Sequence, residues 1–168
     1  MKNNVLIVGL MVVVIQTSVK AESINFEDYP VQNTQDVFAK NIILKGKSQK
    51  YKTLLSKISK QEINFAGHYV LDSFGCGGGC QALAAYNAKT GYGFLHPQNF
   101  SDCYSQTHGF ISRDYEFQNN SRLLVVTGSR SSKPYQCEKV YYLVHENSFK
   151  EITQHWIDKG NRLIEVEP

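Results

Sequence analysis

The sequence has little net charge, few cysteines and no apolar run long enough to cross a bilayer comfortably, and each shortage excludes something. Eighteen Lys and Arg stand against fifteen Asp and Glu in 168 residues. That near-neutrality argues against a protein that coats nucleic acid, whose footprint is a strongly basic surface. The longest apolar run, Val5–Ile15, falls short of the ~20 residues a transmembrane helix needs. There is no His-Glu-x-x-His metalloprotease motif and no Gly-x-Ser-x-Gly elbow. Gly46-Lys47-Ser48 ends like a phosphate-binding loop, but Asn41 stands where the earlier glycine is required. No linker, low-complexity tract or strong internal repeat divides the chain.

What is present points to export. Lys2 forms a short positive region ahead of Val5–Ile15, and Val19-Lys20-Ala21 offers small residues at the −3 and −1 positions of a cleavage site. Residues 1–21 are read as a signal peptide and 22–168 as a single exported domain, periplasmic or secreted. No cysteine lies near the cut to carry a lipid, so no stable membrane anchor is expected after cleavage. Removing Lys2 and Lys20 leaves 18 − 2 = 16 bases against 15 acids, a formal charge of +1.

All four cysteines lie in the exported part, and an even count in an oxidising compartment reads as two disulfides. Three pairings are possible. The favoured one is Cys76–Cys80 with Cys103–Cys137. Gly77, Gly78 and Gly79 let the chain curl tightly enough to bring Cys76 and Cys80 into bridging range. The longer Cys103–Cys137 loop stabilises by about 3–4 kcal/mol in the chain-entropy picture. A zinc site at Cys76 and Cys80 has acceptable spacing but lacks a second close Cys/His pair, so no metal and no cofactor are expected.

The expected fold is α+β: mostly an antiparallel β meander with one N-terminal amphipathic helix, stapled by disulfides. The helix spans about Ser48–Gln61, with Ser48 as N-cap and Tyr51, Leu54, Leu55 and Ile58 forming one apolar face. Val37–Phe38 is an apolar start, and Asn41–Leu44 a short strand. Strands follow in Ala66–Phe74, Gln81–Asn87 and Tyr92–Leu95, the last two joined by an Ala88–Gly91 turn. Tyr115–Phe117 pairs with Arg122–Thr127 about Asn119-Asn120-Ser121. Val140–His145 pairs with Phe149–Thr153 about Glu146-Asn147-Ser148. His96–Phe110 and Gly128–Gln136 read as long loops, Trp156 and Ile157 as core, and Arg162–Val166 as a last edge strand.

The stretch Asn64–Cys80 concentrates the unusual residues. The functional reading is a pocket floored by Gly77, Gly78 and Gly79, whose N–H groups line a concave anion site, with His68 and Tyr69 as further binding residues. The plain reading is a disulfide-stapled turn with His68 hydrogen-bonded in the core. Ser73-Phe74-Gly75-Cys76 also superficially resembles the Ser/Thr-His-Gly-Cys motif of the L,D-transpeptidase family, which would make Cys76 a nucleophile with His68 nearby. Phe74 replaces that motif's histidine, and glycine follows Cys76.

Asn64-Phe65-Ala66-Gly67-His68-Tyr69, Gly75-Cys76-Gly77…Cys80, the Ala88–Gly91 turn, Ser121–Val126 and the Tyr141-Tyr142 strand together resemble a family of small, uncharacterised exported bacterial proteins. The resemblance covers about Asn64–Thr153 and implies location and a compact disulfide-bearing domain. It carries no activity. The leading expectation is therefore a binding protein acting on another protein through surface loops. Its specific form would be an inhibitor or immunity protein directed at a toxin or cell-wall enzyme. The alternative is a cell-envelope enzyme centred on Cys76 and His68. Thiol titration with peptide mapping under non-reducing conditions tests the division. The expected outcome is no free thiol and both favoured bridges; a free, fast-alkylating Cys76 would favour the enzyme.

Overall fold

The computed structural model describes residues 24–31, 39, 41–133 and 136–158. Val37–Phe38, Arg162–Val166 and the signal peptide lie outside them. These described residues are mostly β-sheet with one short α-helix and two disulfides. The strands are β1 Ile43–Leu44, β2 Tyr69–Gly77, β3 Cys80–Asn87, β4 Tyr92–Leu95, β5 Phe100–Ser101, β6 Cys103–Ser105, β7 Gly109–Ile111, β8 Asp114–Phe117, β9 Leu123–Arg130, β10 Cys137–His145 and β11 Ser148–Asp158. The helix, α1, is Lys52–Ile58.

Two of the expected strand runs give the sheet its centre. In β3, Leu83 and Ala85 face one core while Ala84 and Tyr86 face another. In β9, Leu124 and Val126 face the same central core, and Leu123 and Val125 face a third cluster. Period-two alternation sends successive side chains to opposite faces. A strand covered on both faces therefore reads as an uninterrupted apolar run. The central core also takes Phe65, Phe94 and Phe100 from before β6 and Val140, Tyr142 and Phe149 from β10 and β11. Leu55 and Ile58 of α1 cover the outer side of β3. Ile24, Phe26 and Tyr29 cover the outer side of β9 and β10.

The strands run β1-β4-β3-β5-β9-β10-β11, with β2 paired to β3 and β8 to β9. This is not a plain meander. β1 pairs with β4 in parallel. β5 joins the halves, Phe100 pairing with Gln81 on one side and with Arg130 on the other. The β3–β4, β8–β9 and β10–β11 hairpins do stand where turn residues placed them.

Several expectations are corrected. The chain enters α1 through a 3-10 turn, Gly46–Tyr51, and Ser48 lies inside it. Its Oγ donates to the Lys45 carbonyl at 2.7 Å and accepts the Lys45 N–H at 3.1 Å, instead of capping the α-helix. Tyr51 sits at the N-cap with its ring 5.4 Å from Phe74, on the surface. The segment 96–110 is not a loop, since it holds β5, β6 and part of β7. Nor is Gly128–Gln136 an exposed loop throughout, because Gly128, Ser129 and Arg130 are buried in β9. Polar composition hid both, as Arg130 and Ser129 are buried by pairing and not by hydrophobicity. Trp156 is half-buried in β11, under the Lys133 ammonium 4.9 Å from its ring centre.

Arg130 explains its own burial. Its guanidinium makes paired contacts with Glu138, through Nε to Oε1 and Nη2 to Oε2 (2.8 Å). It also meets Glu151 Oε2 at 2.6 Å and the Gln154 side-chain oxygen. Glu138 is completely enclosed. Removing one member of such a pair strands a buried charge, at a cost of about 3–5 kcal/mol. Arg130→Met should therefore lose that much stability in urea denaturation. Arg130→Met with Glu138→Leu should recover most of it; equal losses in both variants would contradict the account.

Candidate functional site

The motif Asn64–Tyr69 folds into a tight turn that delivers His68 to a cavity. The Asn64 side chain clamps the Leu71 backbone, accepting its N–H at 2.8 Å and donating to its carbonyl at 2.9 Å. Tyr69 N–H donates to the Phe65 carbonyl at 2.9 Å. Ala66 and Gly67 both take positive φ, 46° and 72°. A Cβ on Gly67 would stand 2.9 Å from Val31 Cγ1, so glycine is required there by conformation and by close approach.

The cavity has a volume of about 740 Å³. One wall is apolar, from Pro30, Val31, Ala66 and Val144. The rest of the lining comes from two hairpin turns, Asn87–Thr90 between β3 and β4 and His145–Asn147 between β10 and β11. Asn87 ties these turns together. Its Oδ1 accepts the N–H groups of Lys89 and Thr90, and its Nδ2 lies 3.2 Å from the Glu146 carbonyl. That same carbonyl accepts the Tyr69 hydroxyl at 2.6 Å. Arg122, ahead of β9, also lines the space.

The His68 ring packs at a tilt of 38° against Tyr69, with ring centres 4.2 Å apart. Burial pushes its pKa down to about 4, the Lys89 charge adds to this, and the Ala66 backbone opposes it. The ring is thus neutral near pH 7, and its enclosed Nδ1 has no hydrogen-bond partner among the described residues. Burial raises the Tyr69 hydroxyl to about 12, with Glu146 helping and Arg122 opposing.

His68 and Tyr69 come together here, but Gly77, Gly78 and Gly79 do not. They lie at the other end of β2, roughly 25 Å away at the usual rise per residue. Space is open around all three, and the Gly79 carbonyl accepts Arg113 Nη1 at 3.1 Å. The glycine run is a turn between β2 and β3, closed by the Cys76–Cys80 disulfide with a Cα separation of 5.3 Å. Cys76 is therefore remote from His68 and bonded to Cys80, which leaves no Cys76–His68 pair. Cys103 and Cys137 form the second bridge. Among the described residues no group of three His, Cys, Asp or Glu is placed to hold a metal, and no helix is long and apolar enough to cross a membrane.

A second feature stands apart from the cavity. β6 and β7 form a two-stranded hairpin off the main sheet, in which Tyr104 is directly opposite Phe110. These side chains are 71% and 68% exposed, while Cys103 and Ser105 on either side of Tyr104 face inward. The Ser105 hydroxyl accepts the N–H groups of Thr107 and His108 across the turn, and Gln106 N–H reaches Asp158 at 2.9 Å. The Cys103–Cys137 bridge fastens the hairpin to β10. Comparison with known proteins supplies no parallel: no protein family, curated protein or solved structure matches the chain.

Sequence reasoning singled out His68 and Tyr69 and placed both turns as hairpins, without bringing them to one cavity. It did not single out Arg122, and it read β6–β7, with its aromatic pair, as loop. The alternation Cys103-Tyr104-Ser105 was the available signal.

The cavity and core histidines make stability depend on pH. His96 is also lowered to about 4, by burial first, with a Gln98 backbone contact opposing and the Arg130 charge adding to the fall. Between pH 6.5 and about 4 the unfolded chain binds protons that the folded chain refuses, so stability is complete above 6.5 and falls as pH drops through that window. For the well-buried His96 the loss is on the order of 3 kcal/mol. Imidazole proton NMR should show both rings still neutral at about pH 5, with Tm falling from about pH 7 to about pH 4.5. Midpoints near the ordinary 6.5 would contradict the environments described.

Proposed function

We propose that this is an exported binding protein whose partner is another protein, engaged through the β6–β7 hairpin. The observation that carries the reading is the exposed Tyr104–Phe110 pair on a hairpin held by a disulfide. Aromatic side chains dominate binding energy at protein interfaces, especially when clustered. Two such rings left in water, on a described surface with few other exposed large apolar groups, mark an interaction site. Tyr51 and Ile43, the other two, are 38% and 40% exposed. Holding the rings on a fastened hairpin reduces the ordering cost of association. The hairpin carries no Lys, Arg, Asp or Glu from Cys103 to Ile111, which favours an apolar recess on the partner.

The specific form of this reading is an inhibitor or immunity protein that neutralises a toxin or cell-wall enzyme. A rigid aromatic finger suits occlusion of a cleft. The resemblance in Asn64–Thr153 to exported bacterial proteins, and the two disulfides, support a periplasmic or secreted setting.

Photo-crosslinking tests the hairpin directly. Tyr104 is exposed and can be replaced by benzoyl-phenylalanine without disturbing the core. Irradiation of cells producing that variant should give one discrete crosslinked species. Phe110→Ala in the same background should abolish it while leaving Tm unchanged. A species insensitive to Phe110→Ala, or none at all, would remove the support for this face.

A further inference from the structure

We propose that the His68 cavity is a separate binding site for a small organic carboxylate with an apolar body. The inference stands apart from the hairpin reading, since neither Tyr104 nor Phe110 lines this space. A volume of about 740 Å³ lies in the range that holds small ligands. Such sites combine an apolar lining with a few convergent polar groups, and that combination is present.

The charges select the sign of the ligand. Lys89 and Arg122 both line the cavity, and neither makes an ion pair among the described residues. Among those residues the one carboxylate on the wall is Glu146, so Lys89 and Arg122 outnumber the acid there. The Lys89 charge acts on His68 and the Arg122 charge on Tyr69, which are adjacent in the chain, so both cations bear on the same space. An anion gains charge-assisted hydrogen bonds there, and Arg offers a planar fork matched to a carboxylate. The apolar wall of Pro30, Val31 and Val144 gains from an aliphatic or aromatic body rather than from a bare inorganic anion.

The site is also built to keep its shape. Asn87 is almost fully buried, and its amide joins the two turns that carry Lys89 and Glu146. The Tyr69 hydroxyl is already committed to the Glu146 carbonyl. Asn87 and Tyr69 are thus committed to holding the frame, while the two cations and the enclosed His68 Nδ1 have no such partner among the described residues.

Titration calorimetry on the mature chain tests this with decanoate and N-acetyl-Leu-Phe as carboxylates, and with decanol and the amidated dipeptide as uncharged controls. Binding of either carboxylate, on the order of tenfold tighter than its control, supports the site; which of the two binds separates a lipid-derived acid from a peptide terminus. Arg122→Gln should weaken that binding about tenfold, and Glu146→Gln should strengthen it, with both variants melting like the parent. Tyr104→Ala should leave it unchanged, so the two sites fail or succeed separately. No binding at millimolar ligand, controls that bind equally, or affinity indifferent to both charge variants would overturn the proposal.

Discussion

A buried guanidinium is the constraint that holds the sheet in register. Arg130 ends β9, pairs through its backbone with Phe100 of β5, and directs its side chain to Glu138 of β10 and Glu151 and Gln154 of β11. Four strands thus meet at one residue. The ion pair need not add net stability over an apolar replacement, because desolvation offsets much of the Coulomb gain. Its consequence is specificity. A register slip of β10 would turn Glu138 to the other face and leave the enclosed cation without its partner. Hydrophobic contacts alone would tolerate such a slip more readily, since both faces of β9 and β10 are apolar.

That arrangement also places the two candidate sites. β5 bridges the halves of the sheet beside Arg130, and β6 leaves directly after it, so the aromatic hairpin emerges from the charge cluster's side. The cavity forms where two hairpin turns and the Asn64–Tyr69 turn converge, near the other end of β10 at His145. The glycine loop belongs to neither. Arg113 holds it, bonded at once to the Gly79 carbonyl and to Asp102 at 2.9 Å.

Local chemistry was legible in the sequence, and convergence was not. Tyr92–Leu95 was found with its bounds, and the turns at Ala88–Gly91 and Glu146–Ser148 were found from their residues. The pairing Cys76–Cys80 with Cys103–Cys137 followed from glycine content and compartment. Proximity in sequence misled where Gly77–Gly79 were grouped with His68, because an extended strand separates what a loop would have kept together. Polar buried residues misled in β9, where Ser129 and Arg130 mimic loop composition. Nothing local announces that Arg122 and Lys89 share a wall, since 33 positions separate them (122 − 89) and the sheet alone brings them close.

The Cys103–Cys137 bridge joins strands 34 positions apart and encloses β7, β8 and β9 within its loop. A chain that has not yet met an oxidant has the hairpin's sequence but not its mooring. Before oxidation, the aromatic finger relies on its flanking backbone, the packing of its inward side chains and polar contacts such as Gln106 to Asp158. The cross-link thus makes the rigid form of that surface conditional on oxidation: reduction of one bond would loosen the finger while leaving the main sheet's ladders in place.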